Sequence, residues 1–329
     1  MTLSRHDRFL AAEGCAQICA MSDAPQLLII ADDSAVWTDA VMSLASPYRR
    51  AMVVAPGAEI ETSAVEVVVG APPDLAAFIP RCPQLRWVQS TWAGIDAIAH
   101  FASETLQITP LKGVFGPAMT EYVMGWLLAI ERDVISRASH TQWTPSLEPR
   151  ITGKRMGIMG TGGIGTAIAL AAKAFGLKLI GLNSDGRAVE GFDACYPSAD
   201  RLAFAEGLDY LVSVLPQTSL TDNLIDREVL MRLNPGAIVI NAGRGNALVE
   251  ADLIASLNAG HLRAAVLDVF REEPLPPDDP LWSTPGVHIT SHTAGPTPDE
   301  AVAEVFERNI KLYLAGEPLS DAVAAGRGY

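Results

Sequence analysis

Three side chains have types suited to chemistry on a carboxylate next to a carbonyl: Arg244, Glu273 and His292. Arg244 stands in Asn241-Ala242-Gly243-Arg244-Gly245, where the flanking glycines leave a guanidinium uncrowded. A planar guanidinium grips a carboxylate through two parallel N–H bonds. Glu273 lies in Asp268-Val-Phe-Arg-Glu-Glu-Pro-Leu-Pro276, and His292 in Thr290-Ser-His-Thr-Ala-Gly295. A carboxylate beside an imidazole favours the protonated ring. A protonated imidazole can deliver a proton to a carbonyl oxygen near neutral pH. Arg244 and His292 each have a plainer reading alone, as a surface arginine and a structural histidine. Their combination with Glu273 and a glycine turn earlier in the chain points to catalysis.

That turn is Gly160-Thr-Gly162-Gly163-Ile164-Gly165. It follows a short apolar run, Arg155 to Met159, of strand length. An Ala-rich helical stretch comes next, Ile164 to Phe175, closed by Gly176, and then a second strand-like run, Leu177 to Leu182. In the G-x-G-x-x-G spacing the first glycine allows a tight turn. The second lets a pyrophosphate approach the backbone, and the third lets helix pack on strand. The free N–H groups and partial positive charge of the helix start suit phosphates. In this strand–turn–helix context the glycines predict dinucleotide binding.

The surrounding elements must carry these groups to one place. Leu27–Ala31, Ala51–Val54, Val65–Val69, Leu85–Gln89 and Gln107–Ile108 read as strands, with helices around Val36–Leu44 and from Pro72 through Phe78. One long helix is expected over 117–139, bridging two α/β units. Asp209–Leu215, Ala237–Asn241, Ala264–Asp268 and Val287–Thr290 are further strands, with helices at Glu250–Ala259 and Pro298–Ala315. Alternating strands and helices predict parallel sheets, whose ligands sit beyond the carboxyl ends of the strands.

With 329 residues, the chain exceeds the size of a single core, so two domains are expected. A net charge of −14 argues against nucleic acid and anionic membrane surfaces. No run approaches the length of a membrane span. Cys15, Cys19, Cys82 and Cys195 are scattered. They read as free thiols of a cytoplasmic protein with no metal site. Residues 1–24 read as a loose extension, with Met21 a possible natural start.

The motifs at 160–165, 241–245, 267–276 and 291–295 together resemble the D-isomer-specific 2-hydroxyacid dehydrogenase family, from about Leu27 to Tyr329. Ala315-Gly-Glu-Pro-Leu319, Arg327-Gly-Tyr329 and Trp282 look like the bacterial glyoxylate/hydroxypyruvate reductases within it. The resemblance implies an α/β protein of two Rossmann/flavodoxin-like domains with parallel sheets. Residues 25–116 plus 298–329 would form a discontinuous substrate domain, and 117–297 the dinucleotide domain. His292 would be the acid/base, Glu273 its partner, and Arg244 the clamp on substrate. Trp92, Ala93 and Gly94, in Trp92-Ala-Gly-Ile-Asp96, match the substrate loop. Backbone N–H groups of Ala93 and Gly94 would hold the carboxylate, and Trp92 would form a bulky wall or face the core. Leu215, Pro216 and Thr218 match the adenosine-side loop, and Asp268 the contact to the nicotinamide amide. Ala242 and Gly243 belong to the cofactor side of the Arg244 motif. A homodimer through the cofactor domain is implied. Trp143 lies in a segment that in some relatives lines the partner's active site; a packing role suits it equally.

Two departures bear on the cofactor. Gly163 stands where relatives often have a long side chain. NAD-specific proteins place an acid at the end of the second strand to hold the ribose 2′-hydroxyl; here that position falls near Asn183. Asn183, Ser184 and Arg187 suit a 2′-phosphate, whereas Asp185 could bind hydroxyls, so NADP(H) is favoured with NAD(H) possible. The expected reaction is reduction of a small 2-oxo acid to the D-2-hydroxy acid. Alternatives are a D-lactate, D-3-phosphoglycerate or formate dehydrogenase, or a non-catalytic NAD-sensing co-repressor.

Overall fold

The computed structural model describes residues 26–31, 34–43, 51–143, 145, 150–319 and 321–323. The extension 1–24, with Cys15 and Cys19, and the Arg327–Tyr329 ending lie outside the described residues.

The first α/β unit runs β1 (Leu27–Ile30), α1 (Ser34–Ser43), β2 (Ala51–Val54), β3 (Val67–Gly70), α2 (Pro72–Phe78), β4 (Trp87–Ser90) and β5 (Gln107–Thr109). Its strands pair in parallel in the order β2-β1-β3-β4-β5. β1, β3 and β4 are buried along their whole length. That explains why β1 and β3 are continuous apolar runs rather than alternating ones; β4 adds Gln89 and Ser90, buried but hydrogen-bonded. Pro at the start of α2 fixes a helical φ where the N–H has no helical partner, and Asp74 complements the dipole.

The expected long helix is two helices, α3 (Gly116–Glu131) and α4 (Val134–Ala138). Asp133 between them has φ 50°, and a left-handed residue cannot continue a right-handed helix. Apolar spacing continues across the break, from Ile130 to Val134, although no residue of α4 is buried, so the pattern alone hides it.

The second unit runs β6 (Arg155–Met159), α5 (Gly163–Ala174), β7 (Lys178–Asn183), β8 (Ala194–Pro197), α6 (Arg201–Ala205), β9 (Tyr210–Ser213), α7 (Arg227–Arg232), β10 (Ala237–Asn241), α8 (Glu250–Asn258), β11 (Leu262–Leu267) and β12 (Val287–Ile289). Its sheet has the order β12-β11-β10-β9-β6-β7-β8. β8, α6 and α7 escape the sequence reading. β8 is a half-exposed edge strand ending in proline, and the two helices are too short for a periodic signal. The Asp226 cap of α7, whose side chain accepts from Val229 N, was the available clue.

α9 (Asp299–Leu314) packs back on the first sheet. Phe306 stacks on Trp87 with ring centroids 5.6 Å apart. Asn309 Nδ2 donates to Gln89 Oε1 at 2.8 Å, and Tyr313 Oη to Glu66 at 2.7 Å. α3 packs on α5 closely enough that a Cβ on Gly116 would lie 3.1 Å from Ala167 Cβ. These two helices join the sheets into one buried cluster, so the loops beyond both sets of strand ends face each other.

Candidate active site

Strand register brings the three chemistry-bearing loops together. Asn241 pairs with Leu267, and Leu267 with Ile289. The chain therefore leaves β10, β11 and β12 at one level, with Arg244, Glu273 and His292 a few residues beyond. His292 Nδ1 donates to Glu273 Oε2 at 2.8 Å, which leaves Nε2 as the nitrogen for a ligand. The other carboxylate oxygen of Glu273 accepts from Phe270 N at 2.8 Å, so its own loop fixes the acid.

His292 has φ 56°, an unfavourable backbone for a residue with a Cβ. Asp268 over-determines it. The carbonyl of Asp268 accepts from His292 N at 2.8 Å. Its carboxylate, 1% exposed, accepts from Thr290 Oγ1 at 2.5 Å, Thr293 N at 2.8 Å and Ala294 N at 3.0 Å. Asp268 thus builds the turn that presents His292. Tyr122, from α3, adds its hydroxyl 2.7 Å from Thr290 Oγ1. Burial pushes the Tyr122 phenol up to about 12, against the Thr290 hydrogen bond and with help from the Asp268 charge. No local signal in the sequence marks this hydroxyl, whose partner is 168 residues away.

Arg244 reaches across to the first sheet. Its Nε donates to Asp96 Oδ2 at 3.2 Å and its Nη1 to Gly243 O at 2.8 Å. A Cβ on Gly94 would lie 1.5 Å from Arg244 Nη2, so the guanidinium rests on the glycine itself. The substrate-loop residues Ala93 and Gly94 are therefore beside Arg244. Ser90 Oγ accepts from Trp92 N and donates to Trp92 O, both at 2.9 Å, which fixes the start of that loop. Trp92 is 48% exposed, so it belongs to the surface of the crevice and not to the core. The glycine after Arg244 does more than clear space. A Cβ on Gly245 would lie 1.9 Å from Phe270 C, so close backbone approach to the Glu273 loop requires glycine. Asp96 was visible in its motif, but only the tertiary approach reveals its partner.

The glycine turn has the shape for a diphosphate. Gly160 has φ 99°, and a Cβ on Gly165 would collide with Gly160 O at 1.9 Å. Gly162 caps α5 with no side-chain hydrogen bond, and no atom lies within 4 Å of a Cβ built on Gly162 or Gly163. A cradle of free helix N–H groups remains, which suits a pyrophosphate. Ile164 follows as the second residue of α5. Across the turn, Leu215 is buried and Pro216 and Thr218 are stapled by Thr221. Its Oγ1 donates to Pro216 O at 2.7 Å and accepts from Thr218 N at 3.0 Å. Ala242 is buried beside them.

The end of β7 differs from expectation. Asn183 is turned inward and only 8% exposed. Its Nδ2 donates to Thr161 Oγ1 at 3.1 Å and Arg187 O at 2.9 Å, and its Oδ1 accepts from Gly186 N at 2.6 Å. It shapes the loop and leaves Ser184 and Arg187 as the exposed members. Arg187 Nη1 lies 2.9 Å from Asp185 Oδ1. Asp185 is held below the usual carboxylate range, first by the Arg187 backbone N–H and then by its side chain.

Trp143 is 96% exposed, so within this chain it has no packing role. Among the described residues no helix is long and apolar enough to cross a membrane. Nor does any group of three or more His, Cys, Asp or Glu among them suit a metal.

Comparison with known proteins agrees with this geometry. Residues 125–294 match the family model described as D-isomer specific 2-hydroxyacid dehydrogenase, NAD binding domain. Glyoxylate/hydroxypyruvate reductase A of Salmonella heidelberg is 32% identical over 258 residues, covering 75% of this chain and 82% of that one. The crystal structure of a D-isomer specific 2-hydroxyacid dehydrogenase family protein from Aeromonas salmonicida is 32% identical. It superposes with a TM-score of 0.82, over 92% of this chain and 100% of that one. The NADPH-dependent glyoxylate/hydroxypyruvate reductase of Sinorhizobium meliloti, solved with NADP and sulfate, is 28% identical. Its TM-score is 0.80, over 93% of this chain and 100% of that one.

Proposed function

Because the chain belongs to the D-isomer-specific 2-hydroxyacid dehydrogenase family, we propose that it reduces a small 2-oxo acid of the glyoxylate/hydroxypyruvate type to the D-2-hydroxy acid. One observation carries the reading: His292 is paired with Glu273 at 2.8 Å, on a loop next to the one that bears Arg244. When bound, a reduced nicotinamide cofactor supplies the hydride. The chain's own residues do the rest. Arg244 and the amides of Ala93 and Gly94 hold the substrate carboxylate, which orients the 2-oxo carbon. His292 Nε2 gives a proton to the carbonyl oxygen, and Glu273 keeps the ring oriented. Asp268 holds the turn that carries His292.

Residues 117–297 serve as the cofactor unit in this reading, and 25–116 with 298–329 as the substrate unit. NADP(H) is favoured over NAD(H). No carboxylate faces outward at Asn183, Asp185 is already neutralised by Arg187, and Ser184 and Arg187 are exposed where a 2′-phosphate would lie. The relative from Sinorhizobium meliloti was solved with NADP. A homodimer is also proposed. Val134 and Ile135 on α4 and Trp143 beyond it are exposed apolar groups on one stretch of the cofactor unit, and sedimentation would reveal a monomer if this is wrong.

The decisive test follows NADPH and NADH oxidation with glyoxylate and with hydroxypyruvate. Turnover with both acids, faster with NADPH, is expected. No turnover of any 2-oxo acid would sink the enzyme reading, and a preference for NADH would reverse the cofactor assignment.

A further inference from the structure

The proposed reaction makes no use of Arg271, yet this side chain joins three loops of the crevice. Its Nε donates to Leu248 O at 2.9 Å. Its Nη2 donates to Asn246 O at 2.6 Å and to Asn223 Oδ1 at 2.5 Å. Its Nη1 lies 3.5 Å from Asp222 Oδ1. The backbone N of Arg271 also donates to Glu250 Oε1 at 3.1 Å.

The gripped segments are not arbitrary. Asn246 and Leu248 closely follow Arg244. Asp222 and Asn223 continue the Pro216–Thr221 loop on the adenosine side, and Asn223 N donates to Asn246 O at 2.9 Å. Arg271 itself is two residues before Glu273. The loops it joins touch through backbone, since Gly245 lies against Phe270 with no room for a Cβ. Only a guanidinium can serve four acceptors on different loops, because its donors sit in a rigid planar fork; an ammonium is a single flexible centre.

We propose that Arg271 is a positioning residue that fixes the Glu273 loop against the Arg244 loop, so that proton donor and carboxylate clamp keep one spacing. The proposal rests on the reductase reading above. A misplacement of about 1 Å in such a constellation costs on the order of a hundredfold in rate. The loss therefore falls on kcat, because ground-state carboxylate binding needs only Arg244 and the 93–94 amides.

The test compares Arg271→Ala and Arg271→Lys in the full-length protein. The readouts are kcat and KM for glyoxylate and hydroxypyruvate, thermal melting, and amide hydrogen exchange over 222–223, 244–248 and 270–273. Both variants should lose about ten- to a hundredfold in kcat with little change in KM. Added guanidinium ion at non-denaturing concentration should restore part of the Ala variant's kcat and none of the Lys variant's. Exchange should quicken in those three loops alone. A lower melting temperature with unchanged kcat would reduce Arg271 to a stabilising residue and overturn the proposal, as would a loss confined to KM. Should Arg271→Ala not fold, Asn223→Gly removes one acceptor while tolerating the left-handed φ of 57° at that position, and a smaller loss of kcat is expected. If the unaltered protein turns over no 2-oxo acid, the functional reading has failed by itself. Exchange then decides: quickened loops uphold the tie, and unchanged loops overturn it.

Discussion

The two ends of the crevice are constructed on different principles. At the β10–β12 end, polar groups are cross-tied around the buried Asp268. Asp268 accepts three hydrogen bonds within one turn, Glu273 uses both oxygens, and Arg271 ties three loops. At the β7 end a buried Asn183 shapes the loop, but the outward groups are one exposed ion pair, Arg187–Asp185. Such a pair is screened by water and contributes little to stability. The first end can place atoms to fractions of an ångström; the second can change partner at little cost. In the proposed reading, chemistry is held rigidly and choice of cofactor is left to side chains that can move.

The largest effect is expected where that rigidity ends on a proton. His292→Ala should lower reduction by about 10²–10⁴-fold, roughly 3–5 kcal/mol of barrier, while the circular dichroism spectrum stays that of the parent. A near-normal rate would detach the cross-tied end from the chemistry. The phenol of Tyr122, raised to about 12 chiefly by burial, keeps its proton up to pH 10, so no loss of rate below that pH is due to it.

Next in size is the link between sheets. Asp96→Ala frees Arg244 Nε, which now lies 3.2 Å from Asp96 Oδ2. A charge-assisted hydrogen bond is worth about 1.5–3 kcal/mol, and partial exposure of both groups discounts this to the lower end. KM for the 2-oxo acid should rise by about tenfold, with a smaller change in kcat. A fall in KM would carry the opposite message, that Asp96 competes with the substrate carboxylate for the guanidinium.

This contrast also explains what was legible in the sequence. The three catalytic candidates and the glycine turn sit in short motifs because their geometry is local. Gly165 must admit Gly160 O, Gly245 must admit Phe270, and His292 must follow a strand end. Strands such as Val67–Gly70 were legible because burial on both faces demands unbroken apolar runs. What escaped was set by distance or by brevity. The break at Asp133 is a single backbone angle inside a continuous apolar pattern. Asp96 with Arg244, and Tyr122 with Thr290, are pairs 148 and 168 residues apart. Asn183 was read as an outward contact because counting from the glycines fixes its position along the strand but not which way its amide turns.

The smallest expected effect tests the looser end. Arg187→Ala removes the cation that would leave Asp185 for a 2′-phosphate. A phosphate contact from an exposed cation is screened by water and modest, so NADPH affinity should fall by about five- to tenfold. NADH affinity should hold or improve slightly, because the variant frees the Asp185 carboxylate toward the ribose hydroxyls. The ratio of the two dissociation constants, measured by nicotinamide fluorescence at fixed ionic strength, is therefore the sensitive quantity. Because the interaction is exposed, raising the salt concentration should shrink the difference between parent and variant. A ratio unmoved by the substitution would place cofactor choice elsewhere, on Ser184 or the backbone of the loop that Asn183 shapes, and the two ends of the crevice would then be equally rigid.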